Sequence, residues 1–109
     1  MKLVFAIVQD EDAHKLVDKL MKDDFGVTKL ASTGGFLRAG NTTLIIGTEN
    51  ERVDEAIDII GEVAKTRTQV ATAPPPTTWG QGVYMPYPIE VEVGGATIFV
   101  VDVEKFEKV

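Results

Sequence analysis

The residues best placed to do chemistry lie in one glycine-rich stretch, Gly34-Gly35-Phe36-Leu37-Arg38-Ala39-Gly40-Asn41-Thr42. From Gly35 onward it approaches the G-x-x-x-x-G-K-[ST] phosphate loop, in which backbone amides and a lysine grip phosphates. It departs from that loop twice. Asn41 stands where the lysine belongs, and Thr42 to Gly47 reads as a strand where a phosphate loop opens a helix. As a plain turn, Gly34, Gly35 and Gly40 supply positive φ. Two features go beyond a turn. Phe36 and Leu37 are apolar where turns favour polar residues, and Thr28, Thr33, Asn41, Thr42 and Thr43 surround them with neutral hydrogen-bonding groups. Amides of a glycine turn can hold an anion without a basic protein. An asparagine carboxamide can set a donor and an acceptor against a base edge. The segment fits a pocket for a nucleotide-like ligand better than a catalytic centre.

Constellations for catalysis are poor. The single histidine, His14, is four residues from Asp18, a spacing that pairs side chains on a solvated helix face as readily as around a metal. Glu90 and Glu92 share a strand face and could do acid–base work. Yet Ile-Glu-Val-Glu-Val is also the pattern of a half-exposed strand. Asp10, Glu11 and Asp12 suit the positive end of a helix dipole. Trp79, Tyr84 and Tyr87 could contact a partner, lid a pocket or pack their own loop. No cysteine is present, which removes disulfides, thiol nucleophiles and thiolate zinc sites.

The elements that would position these residues follow from periodicity. Leu3 to Val8 is six apolar residues in a row, the pattern of a central strand buried on both faces. Ala13, Leu16, Val17, Leu20 and Met21 recur at helical spacing and predict an amphipathic helix ending near Asp24. Val27 to Thr33 and Thr42 to Gly47 read as strands. Asn50 is a candidate N-cap for a second helix carrying Val53, Ala56, Ile57, Ile60 and Ala64. Thr66 to Ala73 reads as a polar edge strand, stopped by Pro74-Pro75-Pro76. A long loop of about 73–86 follows. Ile89 to Val93 and Thr97 to Val103 read as strands joined through Gly94-Gly95 as a hairpin.

This order predicts an α+β, ferredoxin-like sandwich: βαββαβ with an additional C-terminal hairpin, an antiparallel sheet and two helices on one face. With 109 residues the chain reads as one domain. Two helices cover only one sheet face, and a bare apolar face exceeds what monomers tolerate, which predicts an oligomer. The formal net charge of -6 disfavours nucleic acid or an anionic membrane as a partner, because phosphate affinity rests on a basic surface. The first apolar run is far too short to span a bilayer, and no secretory signal is visible, so a cytoplasmic protein is expected.

Three runs are distinctive over their length: Ala6-Ile7-Val8-Gln9-Asp10, Thr28 through Thr43, and Pro86 through Thr97. Together they resemble the PII-like cyclic-di-AMP receptor family over essentially the whole chain. The resemblance implies a PII-like fold and a homotrimer that binds three cyclic-di-AMP molecules, one at each subunit interface. It implies no enzymatic activity and no cofactor or metal. A long mobile loop after the second helix would rearrange on binding and be read by a downstream protein. It further implies that Thr28 approaches a phosphate, that Gly35, Phe36 and Leu37 line the ligand, and that Asn41 hydrogen-bonds an adenine. Gly47 would leave room beside a base, and Phe99 would come from the neighbouring subunit. Some relatives carry a basic residue where this chain has Gly26, and a ligand-reaching glutamine where it has Lys108. Loss of one charge-assisted phosphate contact costs roughly 1.5–3 kcal/mol, with Lys108 or Arg38 available to compensate. Of a different kind is the alternative of a PII-like interaction module that binds ATP, another adenine nucleotide or nothing, and acts through its long loop. A nucleotide hydrolase is the third reading.

Overall fold

The computed structural model describes residues 1–30, 40–73 and 87–109. Among these residues six strands and two helices follow in the order β1 (Lys2–Gln9), α1 (Asp10–Lys22), β2 (Gly26–Leu30), β3 (Asn41–Thr48), α2 (Val53–Ala64), β4 (Arg67–Ala73), β5 (Tyr87–Val93) and β6 (Ala96–Asp102). The fold is α+β. Its main sheet has the order β2-β3-β1-β6, and every pairing in it is antiparallel. β3 lies between β1 and β2, and β1 lies between β3 and β6. This is the split βαβ arrangement of a ferredoxin-like fold.

The C-terminal hairpin expected from Gly94-Gly95 does not form. β5 pairs with β4 in a separate two-stranded ribbon, from Arg67 opposite Val93 to Ala73 opposite Tyr87, while β6 takes the edge place in the main sheet beside β1. The ribbon is thus inserted between α2 and the last strand of the ferredoxin-like pattern. Alternating strands around Gly-Gly give the same local signal in either case. What differs is where the turn amides go. Gly94 N–H donates to Gln9 Oε1 at 2.8 Å, and Gly95 N–H donates to the carbonyl of Ala64 at the end of α2, so neither closes a hairpin. Both glycines have φ near +90°. A Cβ on Gly94 would stand 2.3 Å from the Lys65 carbonyl oxygen, so only glycine fits there.

Both helices pack on one face of the main sheet. Val4, Ala6 and Val8 of β1 and Leu44 and Ile46 of β3 meet Ala13, Leu16 and Leu20 of α1 and Ala56, Ile59, Ile60 and Ala64 of α2. The helical stripes match the expected periodicity, except that Met21 is exposed, Ile57 is half-buried outside the core and Ile59 takes its place there. Asn50 does not cap α2. It opens a 3-10 turn, Asn50–Arg52, that runs into the helix. α1 stops where expected, but its terminator is Asp24 at φ 64°. Phe25 N–H reaches back to the Leu20 carbonyl and Asp24 N–H to that of Met21, the paired bonds of a Schellman motif. Gly26 then opens β2.

β1 occupies the central position expected of it, but only one of its faces is covered. Val4, Ala6 and Val8 are buried, while Leu3, Phe5 and Ile7 on the other face are half-exposed. β5, read as half-exposed, is solvated on both sides: Ile89 and Val91 are exposed along with Glu90 and Glu92. The loop residues 74–86, with Trp79 and Tyr84, lie outside the described residues.

Candidate nucleotide-binding face

Strand pairing puts side chains opposite one another on a common face. Ile7, Phe5 and Leu3 point away from the helices, so their partners do too. One cross-strand row therefore runs Thr28, Ile45, Phe5, Phe99, and the next runs Gly26, Gly47, Leu3, Val101. Asn41 stands opposite Gln9 at the end of the same face. Thr28, Asn41, Gly47 and Phe99, the described site residues, thus all lie on the sheet face that the helices leave open. Gly35, Phe36 and Leu37 lie outside the described residues.

The face is not uniform. Gly26 and Gly47 are cross-strand partners. A Cβ on Gly26 would meet nothing within 4 Å, and one on Gly47 would meet only Leu3 Cδ2 at 3.7 Å. Two adjacent residues without side chains leave a shallow notch beside Thr28, open to a flat ring. Phe99 is 56% exposed. It lies three strand spacings from Thr28, about 14 Å, too far to wall the notch of its own chain.

Asn41 borders a concavity of about 250 Å³ with Ile7, Val8, Gln9 and the Gly94-to-Thr97 segment. That is below the roughly 300–1,000 Å³ usual for a small-molecule site, so a two-purine ligand needs further walls. A larger groove of about 690 Å³ runs on the helix side, lined by Lys15, Lys19, Lys22, Lys65 and Arg67 with Asp12, Asp18 and Glu62. It holds mixed charge and none of the expected site residues, whereas the smaller hollow is lined by one of them, Asn41. Thr42 opens a strand and not a helix, which removes the phosphate-loop geometry. Its hydroxyl faces the helices and donates to Asp10.

Other candidates resolve simply. His14 Nε2 stands 3.4 Å from Asp18 Oδ2, both well exposed, as a solvated pair. Asp12 does more than serve a helix dipole. It is 5% exposed and accepts from Arg67 at 2.7 and 3.4 Å, clamping β4 to α1. That hydrogen bond raises the Arg67 pKa above its ordinary value. The signal was present in the sequence: Asp12, Leu16 and Leu20 share one helical stripe. The Gly26–Gly47 pairing and the Gln9 contact had no such signal, because both depend on strand register. Among the described residues, no three His, Asp or Glu side chains converge as metal ligands, and no helix is long and apolar enough to cross a membrane.

The α+β sheet, with one helix-covered face and one open face bearing a polar notch, places the chain in the ferredoxin-like class. The model of the cyclic-di-AMP receptor family matches residues 1–109, and the chain belongs to that family. Membership implies a binding role and not a catalytic one. Among solved structures, the chain is similar to a functionally unknown protein from Pediococcus pentosaceus, at 45% identity over 99% of this chain and 96% of that one, with a TM-score of 0.76.

Proposed function

We propose that the protein is a non-enzymatic, cytoplasmic receptor for cyclic-di-AMP. It works as a PII-like homotrimer of single-domain chains, with one ligand bound between each pair of neighbours. The observation that carries this reading is the open sheet face. It bears Thr28, Asn41, Gly47 and Phe99 together, yet Phe99 is too far from Thr28 to act within one chain, and the hollow at Asn41 is too small to enclose two purines. A second chain laid against this face covers Leu3, Phe5 and Ile7 and brings its own Phe99 to the notch. Phosphates are held by the Thr28 hydroxyl and by the amides of Gly35, Phe36 and Leu37. Asn41 reads an adenine edge, and Gly47 admits the ring. Neutral donors suffice, which fits a chain of net charge -6. Binding favours one arrangement of the loop at about 73–86, and a downstream protein reads that arrangement. A ligand shifts such an equilibrium only through its differential affinity for the two states.

Titration calorimetry of the chain with cyclic-di-AMP, cyclic-di-GMP and ATP tests the reading. Saturable binding selective for cyclic-di-AMP is expected, and Asn41→Ala should weaken it by roughly 1–3 kcal/mol, the worth of two neutral hydrogen bonds, with the assembly unchanged. Selective binding of ATP, or an Asn41→Ala affinity equal to wild type, would set the assignment aside.

A further inference from the structure

We propose that Gln9 is a ligand-reading residue of this same site, donating from its carboxamide NH2 group to a hydrogen-bond acceptor of the bound nucleotide. The inference rests on the cyclic-di-AMP reading above and adds a residue to it.

Gln9 is the last residue of β1 and stands opposite Asn41 on the open face. Both line the same hollow with the Gly94-Gly95 turn. The orientation of its amide is set by chemistry. Gly94 N–H lies 2.8 Å from the Gln9 side chain, and a donor must face the oxygen, so Oε1 is occupied and Nε2 is the end left over. Nε2 has no partner among the described residues, and its two N–H groups can only donate. A glutamine anchored by its oxygen is therefore held as a donor. It differs from Asn41, whose side chain has no partner among the described residues and can turn either end to a base.

A second polar group on this face is also unmatched. Thr43, two residues along β3 from Asn41 and opposite Ile7, is only 4% exposed, and its Oγ1 has no hydrogen-bond partner among the described residues. Buried polar groups are rarely left so in a finished structure, and Thr43 shares the open face with Gln9 and Asn41, so an unmet hydrogen bond stands close in register to the Gln9 donor. Two kinds of acceptor suit Nε2: a purine ring nitrogen or a phosphate oxygen.

Glutamate separates the two ends of the side chain. Gln9→Glu keeps an oxygen for Gly94 N–H, removes the donor and adds a negative charge. Gln9→Met removes both. The experiment is calorimetry with cyclic-di-AMP on wild type and both variants, with the Gly94 amide resonance followed by NMR. The expected result is that Gln9→Glu leaves the Gly94 resonance in place and weakens binding at least tenfold, while Gln9→Met shifts the resonance and weakens binding too. The loss at Gln9→Met, which adds no charge, should persist in 0.5 M NaCl, whereas any part of the Gln9→Glu loss that shrinks there is carboxylate–phosphate repulsion. Gln9→Glu affinity within twofold of a wild type that binds overturns the inference and leaves the receptor reading standing. A wild-type chain that binds no cyclic-di-AMP overturns both.

Discussion

Phe99→Ala separates an interface role from a surface role. The residue is 56% exposed on the open face, paired across the strands with Phe5. A phenylalanine presents roughly 200 Å², so about 110 Å² of it remains for a neighbour to cover. At about 25 cal/mol per Å² this is nearly 3 kcal/mol, of which truncation to alanine removes about 2. A closed three-chain ring repeats the contact at each interface, giving about 6 kcal/mol per trimer. Assembly from three separate chains scales with the square of concentration. The half-assembly concentration should therefore rise roughly a hundredfold. Sedimentation velocity over a dilution series reads this directly. Thermal melting at high concentration controls for the lost Phe5 contact, a cross-strand pair worth roughly 0.2–1 kcal/mol. Cyclic-di-AMP affinity should fall in parallel, since in the proposed assembly the same ring walls the neighbour's notch. A variant that dissociates at the wild-type concentration and binds ligand equally well refutes the placement of this face between chains.

Gly47→Ala tests the notch: its methyl finds ordinary packing against Leu3, so the melting temperature should hold or rise, while cyclic-di-AMP affinity drops roughly tenfold as overpacking costs 1–3 kcal/mol. Equal affinity by calorimetry would empty the notch of its role. Gly94→Ala should destabilise the fold by about 2–4 kcal/mol, combining a left-handed backbone with a methyl 2.3 Å from the Lys65 carbonyl oxygen; urea unfolding measures it, and a change under 1 kcal/mol contradicts the turn geometry. Asp24→Gly relaxes the positive φ that ends α1, a strain of about 1–2 kcal/mol, against roughly 0.5–1 kcal/mol of added chain entropy, and should stabilise by up to about 1 kcal/mol, read as a higher urea midpoint. The exposed Lys2–Asp102 pair lowers the Asp102 pKa from 3.8, chiefly through the Lys2 hydrogen bond. Its stabilisation is present above the unfolded value and is lost as pH falls through the folded one. Asp102→Asn should therefore match wild type in stability well below pH 3 and fall slightly behind it at pH 7.

Much of this was legible in the chain, for physical reasons that differ by element. The 3.6-residue stripes of α1 and α2 were visible because each helix buries one face locally. β1 betrayed its central position through six apolar residues in a row, and it betrayed something more. A strand apolar on both sides, in a sheet with helices on one, leaves Leu3, Phe5 and Ile7 half-exposed on the open face. Strand partnership was not legible. Ile89 to Val93 alternates equally well whether it pairs forward with β6 or backward with β4, and the choice rests on amide contacts to Gln9 and Ala64, distant in sequence. For the same reason the Gly26–Gly47 notch was hidden: each glycine alone is unremarked, and only register joins them. Asn41, Thr28, Gly47 and Phe99 were reached through local type and through resemblance. Their sharing one open face is what the fold added.

The most direct measurement is native mass spectrometry of the chain with cyclic-di-AMP. Three chains carrying three ligands, with the ligand lost when the assembly is driven to single chains, is the predicted result. A single chain that retains one ligand by itself, or a trimer that takes up none, would contradict a pocket completed between neighbours.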